Sequence, residues 1–99
     1  MGSSARFEQM ETAQKILDLH DRKTGLIETE TGKFFIEGWS NKDYGNYETM
    51  CLAVIETEQD DTGTYTGRRI GYIKISPDGQ VLSVPKEISR FIRGKLYVS

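Results

Sequence analysis

The chain has 99 residues, of which 36% are hydrophobic, 10% aromatic and 28% charged, and its formal net charge is −2. That length suits a single domain over residues 1–99 with one modest core, and the mixed charge with ten aromatics argues against disorder. The lone cysteine, Cys51, cannot form an internal disulfide. No apolar signal core opens the chain and no apolar run nears the ~20 residues that span a bilayer, so the expectation is a cytoplasmic protein without a membrane partner.

A helix is expected from a cap at Ser4 to about Arg22, with Phe7, Met10, Ala13 and Leu17 as its apolar stripe. Glu8 and Glu11 near its start, and Arg22 and Lys23 near its end, suit the helix dipole. Thr24-Gly25 stops it, because glycine tolerates the left-handed conformation found at helix ends. Short strands follow. Leu26–Thr29 and Phe34–Trp39 flank the hairpin signal Glu30-Thr31-Gly32-Lys33, and Ser40–Asn46 reads as a polar loop. A long strand runs from Tyr47 to about Glu58, and the turn Asp60-Asp61-Thr62-Gly63 leads into a strand from about Thr66 to Ile75. Ser76-Pro77-Asp78-Gly79 is the strongest turn, and Gln80–Val84 returns from it. Strands joined by short turns imply an antiparallel meander. Pro85 opens a short helix with Ile88, Phe91 and Ile92 on one face; Gly94 ends it, and Lys95–Val98 is a candidate terminal strand. The expected fold is α+β: a long N-terminal helix on a four- or five-stranded antiparallel meander sheet, with a short C-terminal helix.

The strand after Tyr47 is apolar on both faces. Met50, Leu52 and Val54 lie on one, and Cys51, Ala53 and Ile55 on the other. A turn centred near Thr62 sets Glu56 opposite Arg68, Val54 opposite Ile70, Leu52 opposite Tyr72 and Met50 opposite Lys74. The other face then pairs Ile55 with Arg69, Ala53 with Gly71 and Cys51 with Ile73. This second face is low at its centre, so the N-terminal helix is assigned to it. The taller face, with Met50, Leu52, Val54, Ile70 and Tyr72, has no obvious cover and needs the C-terminal segment, a second copy of the chain or a ligand to shield it. Together with Trp39 and Tyr44 it is the candidate surface for a protein partner or a second copy of the chain.

Charge divides unevenly: residues 1–66 carry 13 acidic and 6 basic side chains, and residues 67–99 carry 2 and 7. Lys86, Arg90 and Arg93 form one helical stripe that Arg68, Arg69 and Lys95 could extend, which makes an anion or nucleic-acid site the alternative reading. The same stripe opposite an apolar face is also the ordinary solvated side of a helix. Catalytic signals are weak. Cys51 sits mid-strand among apolar neighbours and His20 near a helix end, so the pair reads as packing rather than as a nucleophile and its base. Glu56, Glu58, Asp60 and Asp61 lack the ligand spacing of a calcium loop and read as a solvated acidic turn. No nucleotide motif, zinc set or cofactor signature is present. These observations favour a small non-enzymatic interaction, regulatory or inhibitor module that self-associates through its apolar sheet face. Binding through the basic C-terminal third is second, and an enzyme with an unrecognised site is last.

Overall fold

Turn chemistry orders the elements. Asp21 accepts backbone N–H bonds from Lys23 (2.6 Å) and Thr24 (3.2 Å) through its side chain, and Gly25, at φ +71°, donates its own N–H to the Asp21 carbonyl at 2.7 Å. This turn competes with the helix and ends it early. In a computed structural model, which describes residues 2–38 and 49–97, helix α1 therefore spans Gly2–Leu17 and is shorter than the long helix expected to reach Arg22. Strands β1 (Ile27–Thr29), β2 (Gly32–Glu37), β3 (Met50–Gln59), β4 (Tyr65–Ile75) and β5 (Val81–Ser83) form one sheet in the order β1-β2-β3-β4-β5, every pair antiparallel. Helix α2, Lys86–Tyr97, closes the series. Gly94 does not end it, and of the expected strand Lys95–Val98 the residues up to Tyr97 form the helix's last turn, while Val98 lies outside the described residues. The architecture is α+β.

Both helices lie on one side of the sheet, hereafter the helix side. The core joins Ala13 and Ile16 of α1, Ile88 and Ile92 of α2, and Ile27, Phe34, Ile36, Leu52, Val54, Ile73 and Ile75 of the strands. This corrects the expected arrangement: the face carrying Leu52 and Val54 is the covered one, and α1 does not sit over Cys51 and Ala53. A β-bulge is the reason. Ile55 pairs with Arg69 but Val54 pairs with Gly71, so Ile70 is an extra residue in β4. Pairs on the hairpin side of it, Glu56–Arg68 and Ile55–Arg69, stand as the sequence suggests. Past it, every β4 residue changes sides. Leu52 meets Ile73 and Met50 meets Ile75, while Tyr72 and Lys74 turn to the Ala53 and Cys51 face. The bulge thereby gathers enough apolar surface on one side to seat two helices.

Helix α1 is also rotated from its expected stripe. From Phe7 onward its buried side chains are Gln9, Ala13 and Ile16, while Phe7 is 68% and Met10 57% exposed. Polar anchors set this rotation. The Gln9 amide donates to the Ile75 carbonyl at 3.1 Å, and the Thr12 hydroxyl donates to the Gly79 carbonyl at 2.7 Å. Gly79 permits the approach, since a Cβ there would stand 2.8 Å from the Glu8 carbonyl oxygen. At the other helix, Gly71 faces Pro85, and a Cβ would lie 3.1 Å from its ring. This low spot lets the chain cross from β5 into α2.

Candidate functional site: the ribbon formed by strands β3 and β4

Strands β3 and β4 outrun their neighbours. β2 pairs with β3 only between Ala53 and Thr57, and β5 reaches β4 only at Lys74 and Ile75. Beyond Thr57 the two strands continue alone as a short two-stranded ribbon, Glu58–Thr66 and Gln59–Tyr65 with the turn between them, and from Gly67 to Arg69 β4 is the outer strand beside β3 and β2. Every residue from Glu58 to Arg69 is exposed. The molecule measures 52 × 33 × 23 Å.

The ribbon is held by local polar contacts. At its tip the Asp60 carboxylate accepts bonds from the Thr62 hydroxyl (2.6 Å), the Thr62 N–H (2.9 Å) and the Thr64 N–H (2.9 Å). The Thr62 hydroxyl bond, followed by the Thr64 amide bond, holds the Asp60 carboxyl below its ordinary range. Gly63 supplies the positive φ of +86° that the turn requires, and its carbonyl accepts from the Gln59 amide at 3.0 Å. The acidic run is thus a self-satisfied turn. Among the described residues, no three His, Cys, Asp or Glu side chains stand together to hold a metal ion. On the helix side Arg68 pairs with Glu56 at 3.2 Å. On the other side Arg69 hydrogen-bonds the Tyr72 hydroxyl and lies 5.7 Å from the centre of its ring.

Backbone polarity across the sheet follows from one bond. Asp60 N–H donates to the Thr64 carbonyl at 2.9 Å. Antiparallel pairs alternate between bonded and unbonded, so Thr66 and Arg68 bond to β3 while Tyr65 and Gly67 turn their N–H and C=O to the outer edge. Carried through β3 into β2, the same alternation points the Ile36 N–H outward, and the structure agrees: it donates to His20 Nε2 at 2.9 Å. His20 Nε2 is therefore the acceptor, and Nδ1–H donates to the Leu17 carbonyl at 2.7 Å. With its ring tilted against Phe35, His20 caps that edge of the sheet.

The residues singled out in the sequence scatter. Leu52 and Val54, 1% and 0% exposed, lie in the chain's own core, and Met50 and Ile70 pack partly buried against it. Tyr72 is on the opposite face, beside Ala53. Trp39 and Tyr44 lie outside the described residues. The basic set is split. Arg68 and Arg69 lie at the root of the ribbon, opposite Glu56 and Ile55, whereas Lys86 and Arg90 line a groove of about 470 Å³ between the β1–β2 turn and α2, which they share with Glu28, Glu30 and Glu87. Arg93 donates to the Ser89 hydroxyl at 3.2 Å. Cys51 and His20 do not form a pair, because both ring nitrogens of His20 bond to backbone groups. Burial pushes the Cys51 thiol up, with Lys74, its cross-strand neighbour, pulling weakly the other way. The sequence reading missed Tyr65, Thr66 and Gly67. Strand lengths that exceed those of the neighbouring segments were the available signal.

Comparison with known proteins gives no relative: no family, no curated protein and no solved structure matches the chain. Among the described residues no helix is long and apolar enough to cross a membrane.

Proposed function

We propose that this protein is a small non-enzymatic interaction module of regulatory or inhibitory type whose contact element is the β3–β4 ribbon. The apolar face first suited to that role is occupied by the chain's own helices, so the reading moves to a different surface. One observation carries it: every residue from Glu58 to Arg69 is exposed, although both strands are long and continuous. A two-stranded ribbon in water is marginal by itself, and extending it adds conformational cost with little burial in return. Such an arm gains its burial from a partner, either through side-chain contacts on its faces or by strand addition along its edge.

Site-specific photocrosslinking tests this in the cells that make the protein. A benzophenone side chain at Glu58 or Thr66 is expected to give covalent protein adducts, and the same group at exposed Lys23, on the α1–β1 turn, is not. Shortening the ribbon to a two-residue turn should leave the helical circular dichroism intact and abolish the adducts. Equal labelling from Lys23, or none from the ribbon, would refute the assignment.

A further inference from the structure

We infer that the groove between the β1–β2 turn and α2 is a second binding site, distinct from the ribbon, and that its ligand is a free tripeptide held by its backbone and by both charged ends. Backbone direction at this edge of the sheet is fixed. The Ile36 N–H points outward, so Gly32 and Phe34 do too and bond to Thr29 and Ile27, which leaves the Glu28 N–H and C=O turned away from β2. The same alternation turns Leu26 outward, and the structure agrees: its carbonyl accepts the Asp21 N–H at 3.0 Å and its N–H donates to the Thr24 hydroxyl at 3.2 Å. Leu26 and Ile36 are thus capped from within the chain. Glu28 is exposed, and it lines the groove. Its side chain shares a sheet face with Lys33, away from the helices, so what it presents to the groove is its main chain.

Closure at both ends limits the length of the ligand. At the Leu26 end the Asp21 turn occupies the strand edge, and at the other the Thr31 hydroxyl donates to the Glu87 carbonyl at 2.6 Å, tying the turn to α2. A long strand from a folded partner has no path through. From Glu28 to Thr31 the edge runs about 10 Å, the length of three extended residues. In an antiparallel pair Glu28 exchanges both its bonds with one residue. A tripeptide seats its middle residue there and keeps both termini inside the groove. Charge demands both ends and sets their order. Glu30 and Glu87 stand at the Thr31 end, and Arg90 lies about 5 Å further along α2. Lys86 shares the Thr31 end, where the two carboxylates outnumber it. Among the described residues none of these four forms an ion pair. The ammonium therefore goes to Glu30 and Glu87 and the terminal carboxylate to Arg90, which runs the peptide antiparallel to β1, in keeping with the Glu28 pair. Its outer side chains then face α2, where Phe91 offers an apolar surface.

Blocking one end of the peptide at a time tests the arrangement. Titration of the full chain with alanyl-alanyl-leucine, followed by amide NMR, is expected to shift the Glu28 resonance and to saturate in the millimolar range. Acetylating the amino end or amidating the carboxyl end should each weaken binding about three- to tenfold. Arg90 is exposed, so Arg90→Gln leaves the fold standing. That variant should lose the penalty for amidation and keep the penalty for acetylation. Glu30→Gln should reduce the penalty for acetylation and keep the one for amidation. The absence of a saturable shift at Glu28, or blocked peptides that bind as tightly as the free one, overturns the site. So does an amidation penalty that survives Arg90→Gln unchanged.

Discussion

The helix-covered body and the projecting ribbon share the same two strands yet are held together in different ways. In the body, Leu52, Val54, Ile73 and Ile75 are sealed beneath α1 and α2, and stability comes from apolar surface removed from water. In the ribbon, order comes from ladder bonds, the Asp60 turn and an exposed ion pair, each worth little alone. The change occurs between Ile55 and Ile70, within one turn of the strand pleat. Continuous secondary structure is therefore no guide to where a chain's folding free energy resides. A strand can be core at one end and scaffold for a contact surface at the other.

Substitutions of decreasing severity test that contrast. Leu52→Ala, in the body, is expected to cost about 2–5 kcal/mol in a denaturant unfolding experiment, since it removes a fully buried side chain between sheet and helices. Gly79→Ala should cost about 1–3 kcal/mol, because a methyl group meets the Glu8 carbonyl and the backbone stays at φ +86°. An unchanged midpoint would mean that α1 is not seated on the β4–β5 turn. His20→Ala strands the Ile36 N–H at the sheet edge, for about 1–2 kcal/mol, and the Ile36 amide should then exchange faster than its neighbours. The smallest effect belongs to the ribbon tip. The Asp60 carboxyl is lowered in the fold, so its contribution is complete above the ordinary carboxylate range and disappears as pH falls through the lowered value. Acid titration followed by NMR should move the Thr62 and Thr64 amides at a pH below that of an unperturbed aspartate. Body amides should stay still through the same step. Asp60→Asn should remove that step and leave the body's unfolding midpoint in place.

Local signals in the chain were enough for the α+β class, the meander order and the turns at Gly32, Gly63 and Gly79. They were also enough for the Glu56–Arg68 pair, because a hairpin register counts outward from its own turn. Errors began where one part of the chain answers to another. Ile70 reads as an ordinary apolar strand residue, and nothing beside it announces a bulge; the demand comes from two helices that need Ile73 and Ile75 below them. The α1 stripe was misjudged for a related reason. Gln9 is buried because the Ile75 carbonyl requires a donor, and hydrophobic periodicity cannot register a polar residue chosen for its bond. The end of α1 was written locally, in the Asp21 turn, but its sequence also resembles a solvated helix terminus. For the candidate site, β3 and β4 were readable as long strands, whereas their projection depended on how short β1, β2 and β5 proved to be.

The extra residue at Ile70 also governs how this protein can change length. Two residues added or removed together at the hairpin tip leave the parity of both strands intact, so the arm can grow or shrink while the core stays unaware. A single deletion between Arg69 and Gly71 would turn Ile73 and Ile75 toward water and Lys74 toward the helices. Descendants of this sequence should therefore vary freely in the reach of the arm and hardly at all in the odd count at its root.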